Sequence, residues 1–412
     1  MEVDAGSRTY PALRLALCGE GNSVASYWAV MLLQSPAFDV VASWAREKEE
    51  ATAVASVLMP TGDGSVKAYW EDTADLSMIG RDRRPSIKPH GSRSSGLDAL
   101  LQRADVDAFL LVLPPDSHTV VLEQLFRRCP CKHVFSANLP SFDPSILRQL
   151  ASLHSASVAP SDQKAGIPGV WGCCSPFKNE VAVSKLQAIL KDLGTIVAGE
   201  LVASSMVQSV TVTSAGSFGG KRTPRTPAQQ RDLLLSVCTC YSSLLRHLLG
   251  DVTSLSAVRG TNATLCGQLH FLKGASVALT VDLISKTNIF SLTVWGSKGF
   301  GRLTWNEDKK ALEVQRYLHH YEHPTLHPVT GPTWEVKTWL ESIWSTSKGG
   351  KVANSQRADN MLVDLVLSSS LVASDGAVVR LRLTGQREEE TNTPAPVRGT
   401  IVRESADMVA AA

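Results

Sequence analysis

The sequence predicts a doubly wound parallel α/β sheet first, then an α+β domain built on a mostly antiparallel open sheet. Three observations carry this. Strand-like and helix-like patterns alternate over the first 150 residues, the order that yields parallel strands with crossover helices. The run from Ala104 to Leu113 ends in unbroken apolar residues, as a strand covered on both faces must. Beyond Thr195 the segments alternate apolar and polar residues with few helices between them.

Leu13 to Cys18 reads as the first strand and runs straight into Gly19-Glu20-Gly21-Asn22-Ser23-Val24. Gly19 and Gly21 stand where a tight turn and a close approach of phosphate to backbone exclude a Cβ. The helix predicted over 23–34 would point its free N–H groups at that phosphate. Val24 stands where a three-glycine loop has its last Gly. A second strand is predicted over Phe38–Trp44, a helix over Glu47–Leu58 and a short strand over Val66–Tyr69. Residues 73–96 carry Arg81, Arg83, Arg84, Lys88 and Arg93 among Pro, Ser and Gly, the composition of a solvated, disordered insertion.

A helix over Leu97–Arg103 precedes the apolar strand that ends at Leu113. Pro114, Pro115 and His118 then form the loop at its carboxyl end, before a helix over Thr119–Arg128 and a strand over Lys132–Ser136. Ligands of doubly wound sheets bind outside the carboxyl ends of the strands. Residues 19–24, 44–46, 113–118 and 136–140 therefore converge on one crevice, the Rossmann arrangement for a dinucleotide.

In the second half, a helix over Val181–Leu193 stops at Gly194, and a long apolar helix over Arg231–Leu249 stops at Gly250. Strands are predicted over 195–213, 255–258, 264–272, 276–285, 289–295 and 301–305, and a last helix over Ala358–Ala373. The expected organisation is a dinucleotide-binding domain over 1–150, a substrate or dimerisation domain over 151–385, and a disordered tail over 386–412. An open antiparallel sheet must be polar or covered on its outer face, so that face is the expected homo-oligomer surface.

The net charge of +2 argues against nucleic acid as a partner. No apolar run reaches the roughly 18 residues that span a membrane. Early acids and a short first apolar stretch give no signal-peptide pattern, so the expected compartment is cytoplasmic, with an extracellular one as the minor alternative. None of the eight cysteines has C-x2-C spacing, and apolar surroundings make most of them small buried hydrophobes. His319, His320 and His323 lack an obvious further ligand, so no metal site is expected.

Together these segments resemble the Gfo/Idh/MocA family of NAD(P)-dependent oxidoreductases. Asp105-Val-Asp-Ala followed by Leu113-Pro-Pro-Asp-Ser-His118 is similar to the family's fourth strand and cofactor loop. Val294-Trp-Gly-Ser-Lys-Gly-Phe-Gly-Arg-Leu303 is similar to its G-s-x-G-x-l hairpin. Phe38-Asp-Val-Val-Ala-Ser-Trp-Ala-Arg46 and Ser236-Val-Cys-Thr-Cys-Tyr-Ser-Ser-Leu-Leu245 resemble the glucose-fructose oxidoreductase domain-containing proteins of animals. The resemblance implies cofactor contacts from Gly19, Glu20, Gly21, Asn22, Ser23, Val24, Arg46, Leu113, Pro114, Pro115, His118 and Asn138.

The departures from the family bear on activity. Its Glu-Lys-Pro motif is matched by Ala137-Asn138-Leu139, so Asn138 stands where the catalytic Lys would be. Its Asp-x-Gly-x-His motif is matched by Ser236, Cys238 and Cys240, so Cys240 stands where the acid/base His would be. Neither replacement titrates near neutrality as His does. Asp232 is expected to sit in the first helical turn and serve the helix dipole. The acid that binds the ribose 2′-OH of NAD is replaced by Ala45, with Arg46 next, which favours NADP, with NAD possible.

The leading reading is a dinucleotide-binding protein with degenerate catalytic motifs and weak or no oxidoreductase activity. It would also bind a small sugar-like ligand. One alternative is an active NADP-dependent oxidoreductase of a sugar or small hydroxy compound. The other is a structural or interaction protein, in line with the link of that subgroup to matrix assembly.

Overall fold

The computed structural model describes residues 12–20, 22–59, 66–71, 96–158, 169–174, 177–204, 226–261, 263–285, 288–318, 322–329, 332–347, 358–374, 378–383 and 399–403. The expected insertion over 73–96 lies almost wholly outside them.

The first sheet is parallel and alternates with helices along the chain: β1 (Leu13–Gly19), α1 (Asn22–Leu33), β2 (Phe38–Ala45), α2 (Lys48–Leu58), β3 (Lys67–Trp70), α3 (Gly96–Leu101), β4 (Ala108–Val112), α4 (Pro115–Arg128), β5 (His133–Ser136), α5 (Pro144–Val158) and β6 (Trp171–Cys173). Its strand order is β3-β2-β1-β4-β5-β6. Side chains alternate across each strand. Leu15 and Leu17 of β1 therefore pack with Trp28 and Leu32 of α1 on one face. Ala16 and Cys18 pack with Leu100, Leu122 and Leu125 on the other. Both faces are covered, which is why β4 is apolar throughout.

The second sheet follows α6 (Val181–Asp192). It is formed by β7 (Ile196–Ala203), β8 (Val252–Thr261), β9 (Thr264–Phe271), β10 (Ser276–Asp282), β11 (Phe290–Gly296), β12 (Gly299–Asn306), β13 (Ala311–Tyr317), β14 (Thr325–Pro328), β15 (Val379–Leu383) and β16 (Gly399–Arg403). The helices among them are α7 (Pro227–Leu249), α8 (Pro332–Ser347) and α9 (Ala358–Ala373). The order is β14-β13-β12-β11-β7-β10-β9-β8-β15-β16, antiparallel except where β7 meets β10. Val277, Leu279 and Val281 of β10 face a core shared with α6, α7 and α9. Glu200, Gln268, Ala278 and Arg302 are exposed. Gly194 and Gly250 end their helices at φ of 75° and 92°, a region costly for residues with a Cβ. Among the described residues no helix is long and apolar enough to cross a membrane.

The C-terminal helices differ from the expected division at residue 150. β6 pairs with β5, so the first sheet continues past that boundary. α8, which the sequence reading did not foresee, sends Val336, Trp339, Leu340 and Ile343 into the core of the first sheet. α9 serves both cores: Leu362 and Leu365 join the first, Leu367 and Leu371 the second. The expected tail over 386–412 contains β16, paired with β15. β6 and β16 are three and five residues long, too short for periodicity to reveal.

Trp339 holds α8 in place. It is fully buried, with ring centroids 5.4 Å from Phe135 and 6.3 Å from Phe38. A Cβ on Gly172 would come within 2.5 Å of its Cδ1. Trp339→Ala is expected to cost about 3–5 kcal/mol of stability, as large aromatic truncations in cores do. Urea unfolding checks this, and a loss below about 1 kcal/mol would show that α8 is not part of the first core.

Candidate functional site

The strand order reverses direction between β1 and β4, so the loops at their carboxyl ends diverge and leave a crevice. Gly19 closes β1 under α1. A Cβ there would lie 2.7 Å from the Ala25 Cβ, so only glycine lets the helix start this close to the strand end. The Glu20 N–H donates to the Val112 carbonyl at 3.1 Å and ties the loop to the end of β4. Asn22, Ser23 and Val24 open α1, while Gly21 lies outside the described residues.

Pro114 caps α4 and Pro115 takes its first turn, where a missing N–H costs nothing. The His118 N–H donates to the Pro114 carbonyl at 2.9 Å. The His118 ring is fully buried, with Nε2 3.0 Å from the Ser136 Oγ. Trp171 Nε1 donates to the same hydroxyl at 3.0 Å. Desolvation lowers the imidazole to about 3, so it stays neutral at physiological pH and joins β4, β5 and β6 as a packing group. Asn138 is buried and donates from Nδ2 to the Leu113 carbonyl at 3.1 Å, linking the loops after β4 and β5.

At the other end of the crevice, Arg46 follows β2. Its Nε lies 3.4 Å from Glu20 Oε1, and its Nη2 donates to the Ser117 Oγ at 2.6 Å. Burial raises the Glu20 carboxyl above its ordinary value, while Arg46 and the Ser117 hydroxyl act to lower it. The sequence reading placed Glu20 and Arg46 in the cofactor site but did not foresee their pairing. Ser117 lay within its cofactor loop over 113–118 but was not singled out as a site residue.

Ser236 and Cys240 lie on one face of α7, both buried. Burial pushes the Cys240 thiol up to about 12; the Asp364 and Glu335 carboxylates add to this and Lys178 works against it. Lys178 is itself buried, its Nζ 3.7 Å from Asp364 Oδ2, and Arg246 donates to Asp364 Oδ1 at 2.6 Å. A buried carboxylate shared by two cations is a structural knot whose members need one another. Nothing in the local pattern around Phe177-Lys178 marked it, because its partners come from distant helices.

Asp232 needs a correction. α7 starts at Pro227, and no acid stands in its first turn, so Asp232 does not serve the helix dipole as expected. Burial raises its carboxyl; Arg231 opposes this and Asp116, at the start of α4, adds to it. Among the described residues no cluster of His, Cys, Asp or Glu could hold a metal ion. His319 and His320 lie outside those residues. All eight cysteines are free thiols.

No protein-family model matches the chain, and no curated protein sequence does. Solved structures do. A myo-inositol dehydrogenase from Corynebacterium glutamicum superposes with a TM-score of 0.59 at 11% identity, over 88% of this chain and 96% of the other. A 3-ketoreductase from Actinomadura kijaniata, solved with TDP-benzene and NADP, gives 0.62 at 14%, over 88% and 98%. GenD2, a protein from gentamicin A biosynthesis solved in complex with NAD, gives 0.62 at 14%, over 91% and 97%. The chain thus has the fold of the Gfo/Idh/MocA oxidoreductases, as the sequence resemblance implied.

A thiol near 12 is fully protonated at pH 8. Alkylation of the native protein at that pH is expected to label the exposed Cys131 and Cys266 and to leave Cys240 unmodified. Peptide mass spectrometry reads the sites. Rapid native labelling of Cys240 would show a reactive thiolate instead.

Proposed function

We propose that this chain binds a nicotinamide dinucleotide across the ends of β1, β2, β4 and β5, with little or no hydride transfer. The observation that carries the binding is the approach of α1 to β1 over Gly19, which aims the start of a helix into the crevice at the sheet's switch point. The residues fit such a ligand. The first N–H groups of α1 would hold the pyrophosphate, and Leu113, Pro114 and Pro115 would flank the far ribose. Asn138 and the packed His118 would form the floor beneath the nicotinamide end. The dinucleotide, when bound, would supply a hydride-accepting or hydride-donating ring.

The weak or absent activity follows from what stands around that ring. Asn138 has an amide in place of the family's ammonium, Cys240 holds its proton tightly, and His118 does not take one up near neutrality. None can move a proton to or from a hydroxyl at pH 7, and general acid–base help is typically worth about 10²–10⁴ in rate. A small sugar-like ligand beside the ring is in keeping with the solved neighbours, one of which is an inositol dehydrogenase. The outer face of the second sheet, with Trp295 partly exposed on it, is the surface we assign to a homo-oligomer.

An active oxidoreductase with a relocated acid/base has one observation in its favour. Asp232 carries a raised carboxyl near Asp116 at the start of α4. In that reading Asp232→Asn alone would remove the activity.

Fluorescence titration with NADH and NADPH tests the binding. Saturable binding is expected in the unaltered chain and its loss in Gly21→Val, with thermal melting confirming that the variant is folded. Retained affinity in Gly21→Val would remove the site assignment. A screen of sugars and diols is expected to give turnover well below about 1 per second, the low end of ordinary enzymes. Turnover at ordinary rates would overturn the degenerate reading.

A further inference from the structure

An acid at the end of the second Rossmann strand normally accepts the ribose 2′-OH and repels a 2′-phosphate. Here that strand ends in Ala45, and the sequence alone points to Arg46 as a phosphate ligand. The tertiary structure changes the electrostatics of this corner. Arg46 is already engaged: its Nε faces Glu20 Oε1 at 3.4 Å and its Nη2 donates to Ser117 at 2.6 Å. Glu20 comes from the glycine loop of β1, yet its side chain is carried across to the end of β2.

Glu20 is also held in place. Its N–H is fixed to the Val112 carbonyl at 3.1 Å, and its side chain is only 15% exposed. Its Oε1 is buried and receives no hydrogen bond among the described residues. A carboxylate in this position has spare acceptor capacity, which a vicinal diol can satisfy and a phosphate dianion cannot. The cation beside it is already paired with this carboxylate, which weakens the positive field offered to a 2′-phosphate. Glu47 and Glu50, at the start of α2, add further negative potential at the same corner.

We propose that Glu20 is the specificity-determining residue of the dinucleotide site: it replaces the missing acid of β2, accepts the adenosine ribose 2′-OH and selects NAD over NADP. Arg46 and Ser117 are its positioning residues. This rests on the dinucleotide reading above, and it reverses the cofactor preference expected from Ala45 and Arg46 alone. Burial keeps the carboxyl above its ordinary value, and the Arg46 charge and Ser117 hydroxyl counter that rise and favour the ionised, accepting form.

The test is the ratio of NADH to NADPH affinity, measured by fluorescence titration at one ionic strength in the full chain and in Glu20→Gln. The unaltered chain is expected to bind NADH at least tenfold more tightly. In Glu20→Gln, which keeps the side-chain shape and removes its charge, NADPH affinity is expected to rise until the ratio approaches one. A wild-type preference for NADPH, equal affinities, or a ratio unchanged in Glu20→Gln would overturn the selection by Glu20 while leaving the dinucleotide site standing. Failure of the unaltered chain to bind either cofactor would overturn both.

Discussion

The contact between Gly19 and Ala25 is the constraint on which the rest of the crevice depends. With no room for a Cβ at the end of β1, α1 begins immediately beneath the glycine loop and lies flat on the sheet. That placement seals Leu15, Leu17, Trp28 and Leu32 into one core. It also turns the helix start toward the point where β1 and β4 diverge. The Glu20 hydrogen bond to Val112 then fixes the loop against the neighbouring strand, so one close approach sets packing and ligand geometry together.

Electrostatics divide the crevice into two unlike ends. At the β2 end, charge is retained: Glu20 and Arg46 face each other at partly exposed positions. At the β5 end, burial removes it. His118 is kept neutral, Cys240 is kept protonated, and Asn138 has no charge to begin with. Two cations, the buried Lys178 and the part-buried Arg246, are held by the Asp364 carboxylate. Desolvation of an isolated ion is costly, so a buried charge survives only with a partner, and these cations are partnered for structure rather than offered to a ligand. Charge is thus kept at the β2 end, while the groups at the β5 end are uncharged near neutrality.

The two sheets are joined by helices from the end of the chain. Trp339 of α8 fills the space over Gly172 and Phe135 in the first core, and α9 contributes leucines to both cores. A loss of packing in either helix would be felt on both sides of the crevice, because interiors at crystal-like density transmit strain rather than absorb it.

Much of this was legible in the sequence. The unbroken apolar residues of β4 declared a strand buried on two faces, the 2-residue alternation of β10 declared a one-sided sheet, and glycines at 194 and 250 marked helix ends. These are local signals, because backbone geometry alone sets their period. The crevice was legible too, since strand–loop–helix order places its loops. The domain boundary was not: β6 is too short to show a pattern, and α8 joins the first core through a distant contact. Nor was the state of the site residues. Whether Arg46 is free, whether His118 can take a proton and where Lys178 finds its counter-charge depend on neighbours far along the chain. Residue type sets what a side chain can do; burial and partners brought together by folding decide what it does.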